Sequence, residues 1–262
     1  MHNSLHRFSR TEMLIGADSL AQLARERVAV IGLGGVGSYS AEALARAGIG
    51  WLILVDYDEI CLTNTNRQIH AIAGNYGRPK AEVMAERVKA INPEAVVVTW
   101  KEFVTESNLR TILHAAISYV VDAIDTVASK VALITFCREQ GIPIISAMGV
   151  GNKFDPLALR IDDISQTHAC PLAKAVRKAL REKGITSGVK VLYSTETPAS
   201  VINAEAVTCQ TGCICPNGAN AEFNCAKRRQ IPGSTPYLPP IAGLMMAGEV
   251  FRDLLKIQPN HK

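Results

Sequence analysis

The chain has 262 residues, 28 Lys plus Arg against 24 Asp plus Glu, a net charge of +4, 48% hydrophobic, 20% charged and 5% aromatic residues. This composition is ordinary for a globular protein and excludes a disordered chain, a coiled coil and a collagen-like fibre. So few aromatics argue against a base-stacking platform for single-stranded nucleic acid, and seven cysteines, an odd number, do not make a disulfide scaffold.

At ~150 residues per domain the length suits one large domain or two small ones with a sizeable core. The apolar stretch 241–248 is too short for a membrane span of ~20 residues. The N-terminal run MHNSLHRFSRTEM lacks the apolar core of a secretory leader. The expected compartment is the cytoplasm, with no membrane partner.

In chain order, RVAVI (27–31) reads as a strand ending at glycines. Residues 36–47 follow as a helix with Val36, Ala43, Leu44 and Ala47 at helical spacing. WLILV (51–55) is a second strand, stopped by Asp56. Residues 79–91 form an amphipathic helix with Pro79 at its first position, where a missing N–H costs nothing. Strand 95–99, a helix around 107–116, strand 119–122, helix 127–140 and strand 142–146 continue the alternation. Beyond Gly149 come strand 157–161, charged helix 171–183 and strand 189–193. A loop rich in Pro, Asn, Gly and Cys (196–240) and a last helix (241–256) complete the chain. Short continuous apolar strands between helices indicate a doubly wound, mostly parallel α/β sheet with helices on both faces. The C-terminal part adds further strands and a mobile, cysteine-containing crossover loop (197–240). No linker divides residues 1–262 into two domains.

Gly32-Leu33-Gly34-Gly35-Val36-Gly37 fits G-x-G-x-x-G directly after a strand and at the start of a helix. Such glycines let backbone N–H groups and a helix dipole approach a phosphate. Asp56, at the end of the next strand, stands where an acid accepts hydrogen bonds from a ribose. The alternative is a glycine turn that serves strand–helix packing alone. The nucleotide need not be NAD. Asp58, the run Asn64 to Gln68 with Arg67, Lys80 at a helix start and Asp122 with Asp125 all fall at the carboxyl edge of the sheet. Cations there suit phosphates, and an aspartate suits Mg²⁺.

These motifs resemble the adenylating superfamily of ubiquitin-activating enzymes and of the bacterial activators of thiamine and molybdopterin sulfur carriers. The pattern is a glycine loop, an acidic pair, N-x-x-R-Q, a P-K helix start and a D-x-x-D turn. Within that superfamily the chain is most similar to the tRNA threonylcarbamoyladenosine dehydratases, through TNTNRQIHA (63–71), RPKAEVMAERVKAINPE (78–94), GIPIISAMGVGNKFDP (141–156), THACPLAKAVRK (167–178) and IAGLMMAGEV (241–250). The resemblance implies ATP, magnesium and a tRNA substrate. A carboxylate would be adenylated with release of pyrophosphate, and a nitrogen of the same group would then close a ring and release AMP. No catalytic cysteine is required. Asp56 would hold the ribose, Arg67 and Lys80 the phosphates with Asn64 alongside, and Asp125 the Mg²⁺. Arg10 would reach the site of the other subunit of a homodimer, the alternative being a solvated arginine. Asp58 would bind the nucleotide alongside Asp56, with a second reading as a loop hydrogen-bonder, Asn66 is a filler position of the pattern, and Cys61 reads as a small buried residue. A sulfur-relay protein is a further possible partner. The competing functions are adenylation of a sulfur carrier with a C-terminal diglycine and an NAD-dependent oxidoreductase. A silent nucleotide-binding scaffold would lack Arg67, Lys80 or Asp125.

Lys174, Arg177, Lys178 and Arg181 fall on one face of helix 171–183. Lys183, Lys190 and the cluster Lys227-Arg228-Arg229 follow. This stripe suits a phosphate backbone or is a solvated face. Cys209, Cys213, Cys215 and Cys225 could ligate zinc. Their spacing is not the paired C-x-x-C of the sulfur-carrier activators, and free or redox-active thiols are the other reading.

Overall fold

The computed structural model describes residues 5–114, 116–202 and 232–257. A seven-stranded sheet is built from β1 (Arg27–Ile31), β2 (Trp51–Val55), β3 (Val96–Trp100), β4 (Tyr119–Asp122), β5 (Ile144–Ala147), β6 (Leu159–Asp163) and β7 (Lys190–Ser194). The order across it is β3-β2-β1-β4-β5-β7-β6. All neighbours are parallel except β6 and β7. The expected doubly wound class and the two extra C-terminal strands are both present.

Each inner strand is apolar on both sides because both faces are covered. Val28 and Val30 point into one apolar cluster, with Leu52, Leu54 and Val121. Ala29 and Ile31 point into the other, with Ile53, Val55 and Val120. The first cluster is roofed by α3 (Gly37–Arg46), α4 (Lys80–Ile91) and α8 (Leu238–Leu255). The second is roofed by α5 (Leu109–Ile112), α6 (Val127–Gln140) and α7 (Pro171–Glu182). The chain leaves β1 for β2 on one side, and β4 lies on the other. That reversal opens a crevice at the carboxyl edge, where such sheets bind ligands.

Several elements differ from the sequence reading. Two short helices, α1 (Ser9–Ile15) and α2 (Ala17–Leu23), precede β1 where the sequence indicated none; only Leu23 of their residues is buried, so they carry no apolar stripe to read. The helix expected over 107–116 is the single turn α5. Asn108 folds back there, its Oδ1 accepting from Thr105 N at 2.9 Å. Pro79 precedes α4 instead of opening it. It is held extended by a bridge to Glu59, and its carbonyl accepts from Val83 N at 3.2 Å. The last helix starts at Leu238, with Pro239 and Pro240 in its first turn, where prolines cost little.

α8 packs hard on α3. A Cβ at Gly243 would lie 2.2 Å from Val36 O, and Ser40 Oγ donates to Gly243 O at 2.9 Å. Arg87 of α4 clamps Glu42 of α3 at 2.6 Å. The helix behind the glycine loop is thus braced from two sides.

Candidate functional site

The glycine loop turns sharply out of β1. Gly32 has φ +89°, its N–H donates to Val55 O at 2.8 Å, and a Cβ there would meet Ala123 O at 2.8 Å. A Cβ at Gly37 would meet Gly32 O at 1.8 Å, and one at Gly35 would meet Pro239 Cβ at 2.9 Å. Three of the four glycines are therefore required by their neighbours. Gly34 is different: its nearest neighbour would be Gln68 Nε2 at 3.8 Å. Its open face is where a ligand phosphate could approach the backbone.

Asp56 sits just past β2, buried, and spans the loop. Its Oδ2 accepts from Leu33 N at 2.6 Å and its Oδ1 from Asp58 N at 2.8 Å. Burial raises the Asp56 carboxyl above the ordinary carboxylate value, with Lys80 pulling the other way. Lys80, the first residue of α4, is buried with its Nζ 2.7 Å from Asp58 Oδ2 and 3.9 Å from Asp56 Oδ1. Burial works against its ammonium, but the two aspartates outweigh it and hold its pKa above the ordinary lysine value. Asp58 is thus the partner that orients Lys80, and an incoming phosphate would share Lys80 with it.

Asn64 is turned inward: its Oδ1 accepts from Cys61 N at 3.0 Å and closes the 3₁₀ turn Leu62–Asn64. Cys61 is buried and receives a bond from Thr63 Oγ1, in line with its reading as a packing residue. Arg67 lies against the glycine loop, its carbonyl oxygen 3.2 Å from where a Gly35 Cβ would be. Its Nη1 donates to Thr63 O and to Asn66 Oδ1, both at 2.9 Å. Asn66 is no filler: its Nδ2 donates to Ser234 O at 2.9 Å, tying Arg67's neighbour to the chain that returns into α8. Gln68 is buried beside Gly34 with its Oε1 lacking a hydrogen bond. A polar oxygen left open there fits a bound nucleotide.

The turn after β4 abuts the loop through Ala123. Asp122 is fully buried. Its Oδ1 accepts from Ile124 N at 3.0 Å, and its Oδ2 accepts from Lys130 Nζ at 2.8 Å and Ser146 Oγ at 2.6 Å. Lys130, in α6, is fully buried too. This triad fixes the turn that presents Asp125, which is exposed at its rim. A single carboxylate beside phosphate oxygens suits Mg²⁺, which commonly keeps water and substrate oxygens as its other ligands. The sequence reading missed Lys130 and Ser146. The available signal was a lysine on the buried side of an apolar helix, eight residues after a strand-ending aspartate.

Arg10 is exposed on α1, at the other edge of the sheet. Phe8 and Leu20 of that region pack on Gly48, just before β2, and Gly50 N donates to Leu23 O. The five residues of a strand, ~16 Å, separate that end from the glycine loop. The structure does not bring Arg10 to the site of its own chain.

The basic stripe divides. Lys174, Lys178 and Arg181 are exposed. Arg177 instead bonds the carbonyl and hydroxyl of Thr167, and Lys190 is paired with Glu249 at 2.7 Å and Asp253 at 2.6 Å, so neither belongs to an open stripe. Lys227, Arg228, Arg229 and the four cysteines 209, 213, 215 and 225 lie outside the described residues. Among the described residues no group of three or more His, Cys, Asp or Glu side chains could hold a metal, and no helix is long and apolar enough to cross a membrane.

The ThiF family model matches residues 8–262. A tRNA threonylcarbamoyladenosine dehydratase of Bacillus subtilis is 44% identical over 252 residues, covering 96% of this chain and 96% of that one. The crystal structure of Escherichia coli tRNA N6-threonylcarbamoyladenosine dehydratase, TcdA, in complex with ATP superposes with a TM-score of 0.80 at 36% identity, over 95% of this chain and 94% of that one. The same enzyme in complex with AMP gives a TM-score of 0.80 at 35% identity.

Proposed function

This chain belongs to the ThiF family, and we propose that it dehydrates threonylcarbamoyladenosine in tRNA at the expense of ATP. The observation that carries this reading is the glycine loop, in which Gly34 keeps an open face beside Gln68 while Arg67 packs on Gly35 and Ala123 of the β4 turn on Gly32, in a chain similar over 95–96% of its length to dehydratases of that name. The substrate carboxylate attacks the α-phosphorus of ATP, and the bond to pyrophosphate breaks. A nitrogen of the same threonylcarbamoyl group attacks the activated carbonyl carbon. AMP leaves with the carboxylate oxygen, and a proton is released, so the nucleoside loses one water overall.

Because nucleophile and electrophile belong to one group, ring closure gains effective molarity without an enzyme nucleophile. The protein's task is to hold and to neutralise. Asp56 accepts the ribose hydroxyls while its other bonds keep the loop in shape. Gly32, Gly34, Gly35 and Gly37 admit the phosphates to the backbone. Arg67 and Lys80 face them with charge, Lys80 kept in line by Asp58, and Asn64 holds the turn from which Arg67 projects. Asp125 would hold Mg²⁺, which supplies charge neutralisation to the phosphates when bound. Residues 1–262 act as one adenylating unit, in the cytoplasm, as a homodimer in which Arg10 serves the partner's site. That placement agrees with its distance from the site of its own chain.

The test is pyrophosphate release. With ATP and Mg²⁺, release should require tRNA that carries the threonylcarbamoyl group and should be lost in Lys80→Ala. Release that instead requires a small protein ending in diglycine would overturn the substrate assignment in favour of sulfur-carrier adenylation.

A further inference from the structure

α7 begins at the carboxyl edge of the sheet, beside the chain that leaves β5. Its N-cap, Cys170, has Sγ 3.5 Å from where a Cβ of Gly149 would lie, and Gly149 leaves the carboxyl end of β5. Ala173, Val176 and Leu180 are buried beneath the helix. Arg177 is drawn back onto Thr167, at the approach to the helix. That leaves Lys174, Lys178 and Arg181 exposed on the outer face. Among the described residues none of the three takes part in an ion pair. Lys174 and Arg181 are seven positions apart, about 10 Å along the axis. The one acid of the helix, Glu182, is its last residue, and exposed Lys183 follows it at the C-cap.

A surface cation that has a carboxylate partner gains little from a second anion, whereas an unpaired one releases a counterion from nucleic acid when it meets a phosphate. Resting on the tRNA reading above, we propose that Lys174, Lys178 and Arg181 form a docking ridge for the phosphate backbone of the substrate tRNA, starting in the first turn of a helix that opens at the carboxyl edge of the sheet, the edge that carries the ATP site. Arg177 and Lys190 are not part of it, although the sequence places them in the same basic run. Such contacts fix position and carry no base specificity, which suits an enzyme whose target is one modified nucleoside.

The experiment measures tRNA affinity of the full-length protein against salt, between about 50 and 200 mM. The triple variant K174E/K178E/R181E should bind tRNA at least tenfold more weakly, and the slope of log K against log salt should shrink by about 2 to 3, close to the 0.7–0.9 per lost phosphate contact. Its melting temperature and ATP affinity serve as controls for folding. Arg177→Gln should lower the melting temperature and leave the salt slope at the wild-type value. An unchanged slope in the triple variant, with wild-type protein that binds and dehydrates tRNA, overturns the docking ridge and leaves the functional reading standing. Wild-type protein that neither binds nor dehydrates tRNA overturns the functional reading itself.

Discussion

Replacing Lys130 by Met strands a carboxylate in the middle of the protein. Asp122 and Lys130 are both fully buried and 2.8 Å apart. Methionine fills a similar volume, so little cavity is created and the loss is electrostatic. Removing one partner of a buried pair costs about 3–5 kcal/mol, mostly because the other charge is left uncompensated. Ser146 Oγ at 2.6 Å and Ile124 N at 3.0 Å still serve Asp122 in the variant, which places the expected loss near the lower end, about 3 kcal/mol. The double variant D122N/K130M removes both charges, keeps an acceptor for Ile124 N, and should recover at least half of that loss. Equilibrium unfolding in urea at fixed protein concentration measures both. ATP affinity should fall in K130M as well, because the turn that presents Asp125 loosens. A loss below about 1 kcal/mol, the size expected of an exposed pair, or a double variant no more stable than the single one, would refute the reasoning.

The glycines should separate by role: Gly37→Ala, with its Cβ 1.8 Å from Gly32 O, should cost about 3 kcal/mol or more, whereas Gly34→Ala should keep stability within ~0.5 kcal/mol and lose at least tenfold in ATP affinity by calorimetry. His70 is buried, with neither ring nitrogen hydrogen-bonded; burial, then Lys80 and Arg87, push its pKa down to about 3 from 6.5. The unfolded chain therefore takes up the proton first, so this contribution to stability is complete above pH 6.5 and is lost as pH falls from there toward 3, at up to about 1.4 kcal/mol per pH unit. His70→Leu should flatten the pH dependence of unfolding between about pH 6 and 4, and coincident wild-type and variant slopes would count against the assignment. Arg10→Ala and Asp125→Ala should each be inactive alone. Mixed in equal amounts with subunit exchange they should regain about a quarter of the sites, and no recovery would place Arg10 outside the partner's site.

The strands were legible because a sheet covered on both faces needs continuous apolar runs, and RVAVI, WLILV and YVVD supply them. The glycine loop was legible because three of its glycines answer to steric demands that no other residue meets. Short elements were not. α1 and α2 bury almost nothing, and α5 is one turn, so neither leaves a period in the sequence. The start of α8 was hidden by two prolines that read as loop yet sit comfortably in a first turn. At the site, residue types were readable and partners were not. Asp58 could be placed at the nucleotide edge from the sequence, but its 2.7 Å pairing with Lys80 could not. Arg177 and Lys190 looked like open cations until Thr167, Glu249 and Asp253 were found on them. Which cation is already spoken for depends on contacts between segments distant in the chain, and spacing does not encode them.

The central claim is best tested by incubating the protein with ATP, Mg²⁺ and tRNA bearing threonylcarbamoyladenosine, then weighing the released nucleosides by mass spectrometry. The account predicts a mass loss of one water, about 18 Da, that requires ATP and disappears in Lys80→Ala. An unchanged nucleoside mass with ATP present, from protein that binds ATP and is fully folded, would contradict it.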